Sequence, residues 1–308
     1  MTGATGDIGR ALAGRLIARG DQVIALVRDV DRARRILSAG ITILRWEGGA
    51  THREWVEAID GADGVIHLAG APVAQRWSDG AKRAIRDSRV LGARSLVEAM
   101  AIATRRPEVF VSASAVGFYG THPSDICTED SEPGVGFLPR TCVEWENEAL
   151  RAESLGVRVA LVRCGIVLSM TGGALPRLLA PFRLFVGGSV ASGRQGFPWI
   201  HIDDVLGTYL WALDNPTVEG PVNAVAPETI TNRAFSKALG RTLGRPAIFR
   251  VPSFVLRLML GSEAMMILTE GQFVLPRRTT TLGYRFAFTK IDQALRDLID
   301  APKHRSDS

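Results

Sequence analysis

Cysteine is scarce in this chain of 308 residues: only Cys127, Cys142 and Cys164 occur, with no C-x-x-C pair. So odd and sparse a set supports neither a disulfide framework nor a structural zinc site, and a reducing, cytoplasmic setting is expected. Long apolar runs are lacking too. The stretches Phe254 to Leu260 and Leu178 to Val186 are broken by Arg257 and by Pro181 and Arg183, well short of the ~20 residues that span a bilayer. The sequence opens without the basic, apolar and small-residue series of a secretory signal. Neither sign of charge dominates, since 37 Lys plus Arg face 32 Asp plus Glu for a formal net charge of +5. The positives are dispersed, and the densest run, Arg28, Arg32, Arg34 and Arg35, has Asp29 and Asp31 within it. It reads as a solvated helix face, with neither nucleic-acid nor membrane binding expected. No internal repeat or low-complexity segment appears. What remains, 46% hydrophobic and 22% charged residues, is the composition of a globular protein that builds its core without cross-links.

Short apolar runs alternate with helical patterns through the first half, the βαβ rhythm of a doubly wound parallel sheet. Strands are predicted over 22–27, 41–44, 64–68, 109–112 and 157–162, and helices over 8–19, 31–38, 78–103 and 141–155. Most of these strands are nearly continuous in Val, Ile and Leu, as expected where helices cover both faces of a sheet. After about residue 165 glycine pairs punctuate a loop-rich stretch. Helices follow at 204–213, 232–243, 253–268 and 290–298, with a strand near 222–225. The expected organisation is a Rossmann domain over 1–165 and a smaller α+β substrate-cleft domain over 166–300. Part of 198–225 is expected to return to the first domain, and 301–308 reads as a disordered tail.

Residues 2–10 read TGATGDIGR, which spaces Gly3, Gly6 and Gly9 directly ahead of an amphipathic helix. Such a loop lets backbone N–H groups approach a pyrophosphate, and the helix N-terminus adds partial positive charge. Gly3, Thr5, Gly6, Asp7, Ile8 and Gly9 are therefore assigned to a dinucleotide, as are Ala69 and Gly70 in the second cluster, His67 to Gly70. Only Met1 and Thr2 precede Gly3, so the strand that should feed the loop is absent as written. The natural product is expected to begin roughly five to ten residues upstream, one strand's length, or the sequence to be truncated. At the end of the second strand stands Val27-Arg28-Asp29. Arg28, helped by Arg32, suits the 2′-phosphate of NADP(H), which is favoured over NAD(H); the alternative has Asp29 serve an unphosphorylated ribose.

The segments TGATGDIG, VIHLAG and VSASAVGFYG resemble the extended short-chain dehydrogenase/reductase superfamily. AGAPVAQRW (69–77), the CVEWE segment (142–146), SGRQGFPWIHIDDV (192–205), GPVNAVAPE (220–228) and GRPAIFRVP (244–252) narrow the likeness to an atypical subgroup called epimerase family proteins. That group carries a C-terminal domain of unknown function, matched from about Ala247 to Leu298. The resemblance implies an NAD(P)-binding Rossmann domain with a smaller domain closing over a substrate cleft, and it supplies no substrate. In the superfamily a Tyr-x-x-x-Lys pair does the acid/base work. Here Tyr119, Tyr209 and Tyr284 are followed four residues on by Pro123, Leu213 and Phe288. Alignment on Glu146 puts Leu138 and Cys142 in the Tyr and Lys places, and the helix position of the superfamily's Asn holds Arg89. A serine survives, Ser114, with Ser112 as the alternative.

The catalytic residues expected are Ser114 and Tyr119, the latter just past the C-terminal end of a parallel strand, where open α/β sheets place ligands; its alternative is a packed, structural tyrosine. Ser112 and Arg163 are also assigned to the cofactor. Cys142 reads as a small buried residue, Glu144 as a surface one, and Glu146 as a partner for Arg89. Arg76-Trp77 and Arg194-Gln195 lie in loops where an Arg fork can read a carboxylate or phosphate, and Trp199 and His201 are placed beside them as ligand contacts. No metal site is expected, because Asp203 or Asp204 reads as the N-cap of the helix that follows. The amphipathic stretch 253–268 reads as core of the small domain. The chain is thus read as a monomeric or homodimeric oxidoreductase or epimerase-like enzyme for a small anionic or nucleotide-sugar-like substrate. The alternative is a non-catalytic NADP(H)-binding regulator, for example of cell division.

Overall fold

The apolar runs of the first half become the strands of one parallel sheet. A computed structural model describes residues 1–48, 53–121, 125–251 and 271–300. The stretch 253–268 and the tail 301–308 therefore lie outside the described residues. The described chain divides into two compact units.

The first unit comprises 1–118, 133–163 and 206–222. Helices α1 (Asp7–Ala18), α2 (Val30–Ile36), α3 (Arg53–Glu57), α4 (Asp79–Ile102) and α5 (Phe137–Leu150) alternate with β1 (Ile24–Val27), β2 (Thr42–Arg45), β3 (Gly64–His67) and β4 (Val109–Ala115). β1 pairs with β2 and β3 with β4, both in parallel. Thr2 joins the pairs by bridging to Leu26 on one side and His67 on the other. Met1 and Thr2 alone thus hold the place of the expected first strand, and through them the order runs β2-β1-β3-β4, continued by β6 (Arg158–Cys164) and β10 (Gly220–Ala224). This is the Rossmann order, with the chain reversing direction across the sheet beside the glycine loop. Leu96, Val97 and Met100 of α4 and Ala149 of α5 pack with Val65, Phe110, Val159 and Leu161 of the strands in one buried cluster, which accounts for the continuous apolar runs.

The second unit takes 119–132, 164–205 and 223–308, so 119–132, which the strand rhythm places with the first domain, belongs elsewhere. Its strands are two or three residues long and pair in parallel: β5 (Ile126–Cys127) with β12 (Phe273–Val274), β7 (Ile166–Leu168) with β9 (Trp199–His201), and β8 (Gly188–Val190) with β11 (Phe249–Val251). α6 (Leu175–Arg183), α8 (Asn232–Leu243), α9 (Arg277–Thr281) and α10 (Ile291–Asp300) belong to this unit, and α7 (Ile202–Asp214) begins in it. Leu175, Leu179, Phe182, Trp199, Phe235, Leu239 and Leu295 share its core. No helix among the described residues is long and apolar enough to cross a membrane.

Candidate functional site

The glycine loop is built from steric necessity. Gly3 has φ +69°, and a Cβ there would sit 2.6 Å from the carbonyl carbon of Leu68; a Cβ on Gly9 would sit 2.1 Å from Gly3 O. The loop closes with Gly6 N–H donating to Gly3 O at 3.0 Å. Thr5 lies in the turn, Gly6 is exposed, and Asp7 and Ile8 form the first turn of α1. No side chain caps α1 at Gly6, so the N-terminal positive end of the helix is presented by backbone alone, the arrangement that receives a phosphate.

The loop is stitched to β3 by a residue that the motif reading passed over. Thr2 Oγ1 accepts from Leu68 N at 3.2 Å and Ala69 N at 3.3 Å, so its proton goes to His67 Nδ1 at 2.7 Å. His67 is fully buried, with Trp46 and Trp145 standing edge-on to its ring at 6.1 and 6.0 Å; burial pushes its pKa down to about 4. Ala69 is half-buried and Gly70 exposed. A Cβ on Gly70 would meet the Arg89 guanidinium at 2.9 Å. At the end of β1, Arg28 is exposed. Asp29 Oδ1 accepts from Arg32 N at 2.9 Å and caps α2.

At the C-terminal end of β4 the sequence expectations require correction. Glu146 does not pair with Arg89. It is held at both carboxylate oxygens by Arg163, with Nε to Oε1 at 2.9 Å and Nη2 to Oε2 at 2.8 Å, and Ser114 Oγ donates to Oε1 at 2.5 Å. Arg163 is 4% exposed, and its guanidinium lies 3.5 Å from the Phe118 ring centroid, so it positions Glu146 rather than reaching for a ligand. Arg89 instead donates to Ala71 O and Ile85 O and lies over Trp145. Cys142 is buried with its thiol toward Ala115 O, and burial, then Glu146, push its pKa up to about 12. Ser112 is fully buried and donates to Ala113 O. The structure thus gathers Ser114 and Arg163 around Glu146, whose partner could not be read from spacing. Glu144 pairs with Arg86 at 2.5 Å.

In the loop after β3, Arg76 is exposed, while Trp77 donates to Val73 O and packs edge-on to Phe137 at 5.1 Å.

In the second unit Arg194 is exposed, but its neighbours in the substrate assignment turn inward. Gln195 is buried, its amide donating to Val190 O and its oxygen accepting from Ser192 Oγ. Trp199 is fully buried in the core of the unit. Tyr119 is fully buried, its hydroxyl donating to Asn223 Oδ1 at 2.6 Å, the geometry of a packed tyrosine. His201 is buried and stacked on Phe288 at 3.8 Å; its Nδ1 accepts from Asp203 N at 3.1 Å. The histidine, not Asp203 or Asp204, therefore caps α7, and Asp204 accepts instead from Ala287 N and Phe288 N. His201, Asp203 and Asp297 do bring ligand-type atoms within 4.8 Å of one another. With Nδ1 engaged as acceptor, however, the ring proton sits on Nε2, 3.3 Å from Asp297 Oδ2, and a protonated nitrogen is not a metal ligand. Glu129, which no motif signalled, is buried and accepts from Asn223 N, Thr279 N and Oγ1, and Arg278 N, clamping the start of α9.

The profile of the NAD dependent epimerase/dehydratase family matches residues 1–225, and that of a domain of unknown function, DUF1731, matches 251–298. The chain is 40% identical over 305 residues to the chloroplastic epimerase family protein SDR39U1 homolog of Arabidopsis thaliana, covering 97% of this chain and 86% of that one. It is 34% identical over 302 residues to epimerase family protein YfhF of Bacillus subtilis, covering 97% of both. Among solved structures, human epimerase family protein SDR39U1 (isoform 2) with NADPH superposes with a TM-score of 0.86 at 32% identity, over 98% of each chain. UDP-glucuronic acid 4-epimerase of Bacillus cereus, at 18% identity with a TM-score of 0.78 over 97% and 96%, shares the fold. By the family profile and these relatives together, the chain belongs to the NAD-dependent epimerase/dehydratase family.

Proposed function

We propose that this protein binds NADP(H) at the glycine loop and acts as an oxidoreductase or epimerase-like enzyme on a small anionic substrate, without the Tyr-x-x-x-Lys pair. The observation that carries the cofactor reading is the uncapped cradle before α1, where Gly3 and Gly9 leave no room for a Cβ. Its backbone N–H groups would hold the pyrophosphate. The preference for NADP(H) rests on β1: Asp29 is engaged in capping α2, while Arg28 is exposed beside it and would pair with the 2′-phosphate. NADPH in the human relative's structure points the same way. When bound, the nicotinamide supplies or accepts the hydride. Ser114, whose hydroxyl donates a hydrogen bond to the Glu146 carboxylate, keeps oxygen lone pairs to accept from a substrate hydroxyl, and Arg163 fixes the carboxylate that orients it. Arg76 and Arg194 each offer an exposed guanidinium fork for a carboxylate or phosphate.

Calorimetric titration with NADPH and NADH tests this. NADPH is expected to bind preferentially, and Arg28→Ala to cost roughly ten- to a hundredfold in NADPH affinity, the worth of a charge-assisted contact, with NADH affinity unchanged. Absence of binding by both nucleotides overturns the reading. The second reading, a regulator that binds NADP(H) without turnover, is favoured by the packed Tyr119 and the buried Cys142 thiol. NADPH binding with no turnover across a panel of carbonyl and nucleotide-sugar substrates would select it.

A further inference from the structure

We propose that one corner of the second unit is a docking surface for an anionic lipid bilayer. Among the described residues nine large hydrophobic side chains are exposed, and five of them lie in two segments: Leu184, Phe185 and Val186 after α6, and Ile248 and Phe249 at the entry to β11. The segments are joined. Phe249 stands opposite Gly188 in the β8–β11 pairing, its N–H donates to Gly187 O, and the Arg245 guanidinium lies 4.2 Å from the Phe185 ring centroid. An apolar cluster of this kind left in water marks a contact surface. Phe185 adds an independent sign: its φ of +62° is a left-handed backbone that bulky residues rarely adopt, and the strain is spent at a position where the ring is half exposed.

The charge around the patch says what it meets. Neither 175–191 nor 232–251 contains an aspartate or glutamate, and Arg183, Lys237, Arg245 and Arg250 are exposed there. Arg241 is neutralised by Asp292 at 2.8 Å, and no acidic side chain among the described residues pairs with Arg183, Lys237 or Arg250. An open groove of about 450 Å³ is lined in part by Lys237 of α8 and by Arg245 and Ile248 of the segment leading to β11. Exposed apolar side chains in the turn after α6 and at the entry to β11, ringed by cations without a carboxylate, fit a bilayer: rings and branched chains enter the acyl boundary, and the cations meet lipid phosphates. This departs from the sequence expectation of no membrane contact, which rested on the dispersal of positive charge along the chain; folding gathers α6 and α8 and concentrates it. The inference is independent of the cofactor reading.

Flotation with vesicles of phosphatidylcholine alone and vesicles containing phosphatidylglycerol tests it. Binding is expected only to the anionic vesicles and weakens as salt is raised. Arg183→Ala and Arg250→Ala each reduce it about fivefold, Phe185→Ser and Ile248→Ser reduce what survives at high salt, and circular dichroism shows the variants folded. A polarity-sensitive fluorophore on Ile248→Cys, in a Cys164→Ser background, is expected to shift to the blue only when anionic vesicles are added. No binding to anionic vesicles overturns the proposal, as does binding that none of the four substitutions changes. A label already blue-shifted without vesicles, in a protein of doubled mass, assigns the surface to a second copy instead. An equal shift with polyglutamate assigns it to an acidic protein, which also refutes the lipid assignment.

Discussion

Glu146 shows how much one buried side chain decides and how little of that is written locally. At 5% exposure its carboxylate has been taken out of water, which is tolerable only because Arg163 occupies both oxygens and Ser114 adds a hydrogen bond. Removing the cation alone leaves an uncompensated buried charge. Arg163→Met is therefore expected to lower stability by about 3–5 kcal/mol, measured by urea unfolding. A double-mutant cycle should give a coupling above roughly 0.5 kcal/mol for Arg163 with Glu146 and none for Arg89 with Glu146; coupling to Arg89 instead would contradict the described geometry. The need for a partner was legible in the sequence, since Glu146 falls four residues after Cys142 and three before Ala149, on the apolar face of its helix. The identity of the partner was not, because Arg163 comes from a strand whose register no local pattern fixes. Tyr119 carries the same lesson: its place after a strand could be read, but its bond to Asn223, 104 residues on, could not.

At the scale of elements, legibility follows length and punctuation. α8 runs Asn232–Leu243 as expected because Thr231 caps it through Ala234 N and Gly244, at φ +61°, ends it. α5 begins at Phe137, ahead of the expected 141, because Gly136 and Pro139 look like loop residues, although proline is well tolerated in a first helical turn. β5, β7, β8, β9, β11 and β12 are two or three residues each, too short to show a period, and β5 finds its partner across more than 140 residues of chain. Short elements also make caps count. α2 has seven residues and depends on the Asp29 carboxylate. Asp29→Ala is expected to cost about 1 kcal/mol of stability while leaving the NADPH-to-NADH affinity ratio unchanged. A selective loss of NADH affinity would show instead that Asp29 serves the ribose, the alternative that the sequence left open.

For the whole molecule, the βαβ rhythm was enough to give the sheet, because strands buried on both faces must be continuously apolar, and Thr2 links its two halves by bridging β1 and β3. What periodicity could not convey is how many ionisable groups folding would strip of water, and these set the response to pH. His67 is fully buried with its pKa lowered to about 4, by burial above all, against about 6.5 when unfolded. Between those values the unfolded chain binds a proton that the folded one refuses, so stability falls as pH drops through 6.5 and the loss levels off below about 4. The 2.5-unit difference corresponds to about 3 kcal/mol. Burial lowers the pKa of His201 as well, which adds to the acid loss; Asp204, raised by burial, keeps its proton to higher pH when folded and offsets part of it. Urea unfolding at intervals from pH 7.5 down to 4 is expected to show this decline, with a shallower slope for His67→Gln whatever its stability at neutral pH. Should that variant prove too weak to measure, proton NMR of the wild type decides the matter: the His67 Cε1 resonance should not titrate until the pH falls below about 5. A midpoint near 6.5 would mean that the ring is hydrated, and the Thr2 hydrogen bond that ties the glycine loop to β3 would lose its physical basis.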